Sequence, residues 1–450
     1  MTTDLQQLAA STVARAMRSG ATAAEAMIHE GNEFSTVVRM NEVETLKEAG
    51  SRAMGVRVFF GQRVGSTYST DFSPQGLEQM LEGALALARV TSEDPHAGLP
   101  AAEELGMLSA DLDLYHEDVY SLPTADRIEY ARRAEKAAFS ADPRITNSEG
   151  AGFDASSGRT VLANSLGFVG EYQRTYCSVM AAPVAAGADG AMQRDYWWSP
   201  ARSLARLDTP EHVGRIAAER TVRRLGARKV KTARVPVIFD PLTARALLEH
   251  VFEAVNGDAI YRHASFLTGK LGEKIAGGNV TVIDDGTMRG GFGSSPFDSE
   301  GVPSRRTVVI ERGVLKSYLL NSYTARKLGL KTTGNASRGI TGNPGIGAGN
   351  FYLEPGTRAA RDIIAGVKDG LYVTDFLGFG VNLVTGDFSR GASGLWISGG
   401  ELAYPVEEIT VAGNLKDMLN SIAEIGSDLE FRGSIASPTI RIEGLTVAGE

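Results

Sequence analysis

Cysteine is almost absent from this sequence, since Cys177 is the only one among 450 residues. A single cysteine excludes an intramolecular disulfide and every site built from several thiolates, such as structural zinc or iron–sulfur centres. The scarcity of cysteine also suits a reducing compartment.

Long apolar runs are missing as well. The longest uncharged run, 339–353, is rich in glycine and has only 15 residues, whereas a membrane-spanning helix needs about 20 apolar residues. Near the N-terminus, Leu5, Leu8, Val13 and Met17 recur at helical spacing. This pattern indicates an amphipathic helix rather than a signal peptide. We expect no membrane association.

Positive charge is in deficit. The chain has 46 basic and 54 acidic residues, which gives a formal net charge of −8. Such a chain lacks the diffuse positive surface that non-specific nucleic-acid binding requires, so we expect no direct contact with nucleic acid. Hydrophobic residues make up 43% and charged residues 22%, a composition typical of a folded globular protein.

The first half of the chain mixes helical and strand patterns, and the basic stretch 223–234 marks a boundary. We therefore predict two domains, 1–230 and 231–450, with an N-terminal α/β domain that contains a mixed or antiparallel sheet. Its strands are predicted at 23–29, 34–40, 55–60, 63–69, 160–163, 168–172 and 176–182, with a tight turn at 61–62, and its helices at 76–90, 125–139 and 212–225.

The second half is dominated by short strand patterns. A buried strand at 235–239 leads into Asp240-Pro241, a good start for a helix over 242–255. The other strands are predicted at 280–283, 307–311, 314–320, 371–376, 394–397, 401–403 and 440–442, with a further helix at 414–425. The predicted fold class is thus α+β, and the C-terminal domain is predicted to be strand-rich and barrel-like with a few helices.

Several common catalytic motifs fail on inspection. Residues 391–394 have the wrong spacing for a nucleophile elbow, and Gly269-Lys270 lacks the hydroxyl residue of a P-loop. Asp284-Asp285-Gly286 follows a strand and is interpreted as a turn. Asp298 and Glu300 lie in a polar loop with no local structural reason. These two carboxylates are candidates for the lining of a site.

The helix over 247–258 carries a suggestive set of polar residues. Glu249 and Glu253 share one face, opposite an apolar face. The only histidine in it is His250, and the next, His263, lies thirteen residues later. A zinc site on one helix needs two histidines at close spacing. Taken alone, this helix does not bind zinc.

A series of segments in the second half resembles the TldD/PmbA family, also called modulators of DNA gyrase. The order and spacing of the segments together are specific, although no single one is decisive. They are SFLTGKLGE at 265–273, DDG at 284–286, FDSEGVPSRRT at 297–307, GVLKSY at 313–318, NASR at 335–338, GVNLVTGDFS at 380–389 and IAEIGSDL at 422–429.

The TldD branch of this family resembles a zinc peptidase with the motif H-E-x-x-x-H and a further cysteine ligand near the C-terminus. Aligned on Gly257-Asp258, the motif positions hold Leu248, Glu249 and Glu253 here, and 431–438 contains no cysteine. Without zinc, Glu249 has no water to activate. The chain is therefore similar to the other branch, TldE or PmbA, and we expect it to hold no metal and no catalytic residue.

The resemblance implies a role in a complex. Members of this branch pair with a TldD-type subunit in a heteromeric protease that digests unfolded peptides or trims peptide precursors. The implied partner carries the zinc, and a homodimer remains open. The peptide-facing surface is expected in loops 297–306, 335–338 and 342–349, with the candidate residues Asp298, Glu300, Arg305, Asn335, Arg338 and Asn343.

The lost ligands also have a consequence for the helix itself. Positions i and i+5 of a regular α-helix lie about 140° apart, because each residue turns the chain by about 100°. An H-E-x-x-x-H motif therefore needs a distorted helix before both histidines reach one metal. A chain without these ligands has no such need, and we predict that 242–255 is a regular α-helix.

Two alternatives remain open at this point. One is an independent hydrolase that uses Glu249, Glu253, His250 or Asp258 with a metal of its own. The other is a binding protein without enzymatic activity that acts on gyrase or another target, for which a net charge of −8 suits a protein partner better than DNA.

Overall fold

The N-terminal part of the chain is built on one antiparallel sheet. The computed structural model describes residues 4–449. The strand order is β3-β2-β1-β4-β5-β6, and β7 also pairs with β5. The strands are β1 (Ala23–Arg39), β2 (Glu42–Phe60), β3 (Arg63–Ser69), β4 (Ile145–Asn164), β5 (Val169–Ala186), β6 (Met192–Arg194) and β7 (Trp197–Ala201), and the helices are α1 (Leu5–Arg18), α2 (Pro74–Val90), α3 (Asp118–Ser121), α4 (Thr124–Ala141) and α5 (Pro210–Val222).

One face of this sheet is covered by helices. In β1, Ile28 packs with residues of α1 and α2, and Phe34 packs with residues of α4 and α5. The alternate residues of β1, such as His29 and Gly31, point to the opposite face. That opposite face is turned towards the C-terminal part, where Met27 and Leu162 contact Phe297.

The first two strands are much longer than the sequence predicts. Residues predicted as two short strands form the single 17-residue β1, and the predicted strand 55–60 is the end of the 19-residue β2. A hairpin turn at Met40 and Asn41, both with positive φ, joins the two strands. Most of β2 before Met54 is exposed and therefore lacks the apolar alternation that marks a strand in sequence.

The C-terminal part contains a closed barrel. Its strands follow the order β17-β16-β15-β8-β20, and β20 pairs back onto β17 through residues such as Val411 and Val447. The barrel strands are β8 (Ala233–Phe239), β15 (Asp369–Leu377), β16 (Asp387–Ser398), β17 (Glu401–Asn414) and β20 (Ile440–Ala448), with β18 (Ile422–Ile425) added beside β20. The five-stranded barrel and the antiparallel N-terminal sheet confirm the predicted α+β fold class.

The strands of a second, smaller sheet alternate with those of the barrel along the sequence. Its order is β11-β10-β9-β14-β19. The strands are β9 (Val282–Asp285), β10 (Arg306–Glu311), β11 (Val314–Leu315), β14 (Phe351–Leu353) and β19 (Ile435–Ala436), and a separate pair is formed by β12 (Ala336–Ser337) and β13 (Gly345–Ile346). The helices of this part are α6 (Pro241–Val255), α7 (Gly257–Tyr261), α8 (Ser322–Leu328), α9 (Ala360–Ala365) and α10 (Leu415–Asn420).

Helix α6 is central to the C-terminal core. It begins at Pro241 behind the cap Asp240, whose carboxylate accepts a hydrogen bond from the Thr243 N–H at 2.9 Å. Leu247 and Val251 are buried in the same core as the barrel strands and the second sheet. The helix is α-helical throughout. The prediction of a regular helix over 242–255 is thus confirmed.

Two predictions in this part are wrong in detail. The predicted helix 414–425 ends at Asn420, because Ile422–Ile425 instead pairs with β20 as β18. The predicted strand 314–320 is limited to Val314–Leu315. In both segments, apolar residues are buried by contacts that the local pattern alone does not specify. No helix within residues 4–449 is both long and apolar enough to span a membrane.

The two parts of the chain are held together by buried contacts. The Arg326 guanidinium of α8 donates hydrogen bonds to the carbonyls of His96, Gly98 and Leu99, at 2.8, 3.1 and 3.1 Å. At Gly55 in β2, a Cβ would lie 1.9 Å from the Ile340 carbonyl oxygen. Only glycine permits this close backbone approach.

A buried ion-pair network joins β1, β2 and the C-terminal part. The Glu25 carboxylate is fully buried and accepts from Arg57 at 2.5 Å. The same carboxylate oxygen pairs with Arg338 at 2.8 Å, and the Arg338 side chain is only 2% exposed. One carboxylate is therefore the shared counter-charge of two buried guanidinium groups.

Loss of this carboxylate should destabilise the protein strongly. We expect Glu25→Ala to lower the free energy of unfolding by about 3–5 kcal/mol, because two buried cations lose their counter-charge. Urea unfolding at neutral pH measures the effect. The control is Glu211→Ala, which removes an exposed ion pair with Arg133 and should cost less than about 1 kcal/mol. Similar losses in the two variants would contradict the importance of the network.

Candidate functional site

A cleft of about 580 Å³ separates the free face of the N-terminal sheet from loops of the C-terminal part. Its floor follows the antiparallel register across four strands. One row runs from Ser51 in β2 through Gly31 and Gly158 to Arg174 in β5. Because the two central residues are glycines, backbone rather than side chain forms the middle of the floor.

A row of polar side chains flanks this glycine row. On one side, His29 in β1 lies beside Thr160 in β4, which lies beside Tyr172 in β5. The ring nitrogen Nδ1 of His29 is 3.0 Å from the Thr160 hydroxyl. Burial, together with the nearby charges of Arg174 and Arg338, lowers the pKa of His29 to about 4. The imidazole is therefore neutral at physiological pH.

The roof of the cleft comes from the C-terminal part. It is formed by the end of β9, by the loops that follow it, and by the glycine-rich segment before β14. The roof residues include Asp284, Ser295, Asp298, Arg305, Asn335, Arg338, Gly349 and Ser434.

The structure brings together four of the six residues predicted to face a peptide. Asp298, Arg305, Asn335 and Arg338 all line the cleft. Glu300 and Asn343 line a different cavity, of about 250 Å³, next to Tyr261 and Tyr323.

Asp298 and Glu300 have structural roles that the sequence did not suggest. Both are at least 95% buried. One oxygen of Asp298 accepts from the N–H groups of Glu300 and Val302, at 2.9 and 3.0 Å, and the other accepts from the Ala336 N–H at 3.0 Å. Glu300 accepts from the Ser322 N–H at 2.9 Å. Burial raises the pKa of both carboxyl groups. Both carboxyl groups therefore hold loops in place. The expectation that they have no local structural role is wrong.

Asp284 is a cleft residue that the sequence interpretation missed. The DDG segment was interpreted as a turn, yet Asp284 belongs to β9 and is 2% exposed. Its Oδ2 accepts from the Asn335 amide at 2.7 Å, while its buried Oδ1 has no hydrogen-bond partner within residues 4–449. Burial raises the pKa of Asp284 to about 7, although hydrogen bonds from Asn335 and Gly349 oppose the shift. A protonated carboxyl group is thus stable in the roof.

Two arginines of the floor lack carboxylate partners. Arg202 is 5% exposed and donates to the carbonyls of Thr175 and Phe292, at 2.9 and 2.8 Å. Its buried Nε has no partner in the described part of the chain. The Arg174 side chain is exposed in the cleft. Neither guanidinium forms an ion pair with any carboxylate among residues 4–449. Neither arginine is signalled by a local sequence pattern, because their proximity depends on strand pairing.

The helix positions that resemble a zinc motif do not fit a metal. Leu248 is buried in the hydrophobic core, and Glu249 pairs with Arg245 at 3.0 Å. Glu253 is exposed, one turn further along α6. Within residues 4–449 no group of three or more His, Cys, Asp or Glu side chains is arranged to hold a metal ion.

Arg245 also lies beside the segment 431–438, where the motif of the TldD branch has its cysteine ligand. β19 packs on α6, and a Cβ at Gly433 would lie 3.8 Å from the Arg245 guanidinium. A fixed cation at this position repels a divalent metal. The residues present are therefore unsuited to zinc by both ligand type and charge.

The fold and the cleft define the class of the protein. It is an α+β protein with a barrel in its C-terminal part. Its helix α6 has Leu248, Glu249 and Glu253 at the positions that resemble a metallopeptidase motif, and no histidine at either ligand position. The sequence comparisons agree with this class. The PmbA/TldA metallopeptidase domain 1 matches residues 24–88, the central domain matches 117–225, and the C-terminal domain matches 232–449. Metalloprotease PmbA of Escherichia coli O157:H7 is 40% identical over 427 residues, which cover 95% of this chain and 92% of that protein. The chain belongs to the PmbA/TldD family.

Solved structures support the same assignment. A proposed modulator of DNA gyrase from Bacteroides thetaiotaomicron has a TM-score of 0.93 and 29% identity, with 100% of both chains covered. TldE from Thermococcus kodakarensis has a TM-score of 0.87 and 22% identity, with 98% of this chain and 99% of that chain covered. The second match shows a common fold.

The raised pKa of Asp284 predicts a pH-dependent stability. Between about pH 4 and pH 7 the folded chain holds a proton that the unfolded chain releases, so stability falls as the pH rises through this window. The effect is at most about 1.4 kcal/mol per pH unit. Asp284→Asn removes this titration. We expect the unsubstituted chain to lose about 1–4 kcal/mol more than the variant between pH 5 and pH 8.

Urea unfolding of both proteins at the two pH values measures this difference. Asp111→Asn is the control, because Asp111 is an exposed carboxylate with an 80% exposed side chain. This control should follow the pH profile of the unsubstituted chain. Parallel profiles for Asp284→Asn and the unsubstituted chain would show that Asp284 is ionised throughout.

Proposed function

We propose that this chain is the metal-free subunit of a TldD/TldE-type zinc protease complex, and that it binds unfolded peptides for hydrolysis by a partner. The partner is a TldD-type subunit that carries the zinc. We also propose that the complex works in the cytoplasm. A homodimer is the form expected where no such partner is made.

The observation that carries the proposal is the set of residues at the motif positions of helix α6. Leu248 is buried in the core, and the Arg245–Glu249 ion pair lies beside the segment that would supply the last ligand. A glutamate acts as a general base in a zinc peptidase only through a metal-bound water. Glu249 instead has a fixed cationic neighbour. This arrangement supports a subunit that does not hydrolyse peptides itself.

The cleft supports the peptide-binding part of the proposal. Residues 42–53 of β2 pair with β1, whereas β3 pairs only with Met54–Phe60, so the outer edge of β2 is open over this length. An extended peptide adds to such an edge through main-chain hydrogen bonds, which tolerate a varied sequence. The open edge reaches the cleft at Ser51, and the bare backbone at Gly31 and Gly158 continues from it.

The two alternatives have less support. The residues that a stand-alone hydrolase would use are not gathered around one point, because Asp258 pairs with Arg262 at 3.1 Å and the His250 ring packs near Phe388. A role in modulating gyrase rests on the descriptions of relatives such as the Bacteroides protein.

The proposal predicts the composition of the native complex. We expect the chain, captured from lysate of its own cells, to carry a second chain of similar size and about one zinc per pair. Native mass spectrometry and metal analysis measure both quantities. Zinc bound to the isolated chain would contradict the proposal.

Glu249 provides a second test. We expect Glu249→Gln to leave the peptidase activity of the complex within about twofold of the unsubstituted level, because the reacting water lies on the partner's zinc. The matched variant carries the same substitution at the corresponding glutamate of the partner's zinc motif. This substitution should abolish activity. A hundredfold loss in Glu249→Gln, with assembly intact, would show that this chain is catalytic.

A further inference from the structure

The floor of the cleft carries uncompensated positive charge on a chain that is acidic overall. Most other charged groups of the floor are paired. Glu30 lies 3.5 Å from Arg159, which also pairs with Glu171 at 2.7 Å, and Glu33 lies 3.8 Å from Lys47. In the roof, Arg338 pairs with Glu25, and Arg305 forms no ion pair with residues 4–449. Arg174 and Arg202 remain without a carboxylate in the described part of the chain.

Arg202 is the stronger observation of the two. A buried guanidinium normally pairs with an anion, because desolvation of a charge is costly. Arg202 has only carbonyl partners, and its Nε is buried with no acceptor among residues 4–449. Burial and the nearby Arg174 lower the pKa of Arg202 to about 10, so it is cationic at neutral pH. Arg202 can therefore bind an anion that residues 4–449 do not provide.

The position of the two arginines indicates which kind of anion they bind. The row from Ser51 to Arg174 crosses three strand spacings, or about 14 Å, and only glycines lie between its ends. An extended peptide of about four residues spans this length. A peptide that leaves the open edge of β2 at Ser51 and crosses the floor along this row therefore reaches Arg174 with about its fourth residue.

We propose that Arg174 and Arg202 form a carboxylate-binding site that receives the C-terminal carboxylate of a bound peptide. This inference rests on the proposed peptide-binding function and adds a preference for peptides with a free C-terminus. Arginine suits the role, because its planar guanidinium donates two parallel hydrogen bonds to a carboxylate. The neutral His29 beside it adds polarity without a competing charge.

The experiment compares two peptides that differ only at the C-terminus. An unstructured ten-residue peptide without Asp or Glu carries a fluorophore at its N-terminus and ends in a free acid or in an amide. Fluorescence anisotropy with the full-length chain gives the Kd of each. We expect the free acid to bind about tenfold more tightly or better, since two charge-assisted hydrogen bonds are lost in the amide.

Arg174→Gln should reduce this preference to less than about twofold, because the glutamine keeps a polar side chain but has no charge. Its side chain is exposed, so the fold should be retained, and urea unfolding checks this. The matched control is Arg361→Gln on α9, whose 88% exposed side chain lies outside the cleft. This control should keep the full preference for the free acid.

The outcomes separate the inference from the proposed function. Equal binding of acid and amide overturns the carboxylate site but leaves peptide binding intact. No binding of either peptide overturns both. A third peptide, amidated and with one internal glutamate, distinguishes the source of the carboxylate. If it binds as tightly as the free acid and loses this affinity in Arg174→Gln, the site accepts side-chain carboxylates and the assignment to the C-terminus is wrong.

Discussion

The shape of the cleft depends on the burial of one carboxylate, Glu25, between two arginines. Arg57 comes from the neighbouring strand β2, whereas Arg338 comes from a loop of the C-terminal part. Because each buried guanidinium needs a counter-charge, the loop cannot leave the sheet without exposing or stranding a charge. The ion pair thus fixes the distance between floor and roof. It also gives Arg338 a counter-charge, whereas Arg174 and Arg202 in the floor and Arg305 in the roof form no ion pair with residues 4–449.

The roof is held by a different interaction, in which buried carboxyl groups accept hydrogen bonds from main-chain N–H groups. Asp298 accepts three main-chain N–H groups from two separate loops, and Glu300 accepts one from the start of α8. Loops of this length rarely pack inside a protein, because their N–H groups need partners. Here the side chains provide those partners. The result is a roof that is irregular in structure yet closely packed, with its carboxyl groups buried.

Much of the architecture could be predicted from the sequence, but the site could be predicted only in part. Local signals located α6, its cap at Asp240 and the hairpin turn at Gly61, because each depends on neighbouring residues. Arg305, Asn335 and Arg338 were found through the resemblance to a family. Arg174, Arg202 and His29 were missed, since they meet only through the pairing of β1, β4, β5 and β7. Asp284 was missed because a turn-like DDG segment conceals a buried strand end.

The state of α6 and the character of the cleft are consistent with one division of roles. A zinc peptidase of this family needs a distorted helix to bring both histidines to the metal, whereas α6 is regular and uses Leu248 for the core. In the same chain, the cleft has the open edge of β2, the glycine row and the unpaired arginines. Under the proposed function, these are the features that a subunit needs when it positions peptides and leaves the hydrolysis to its partner.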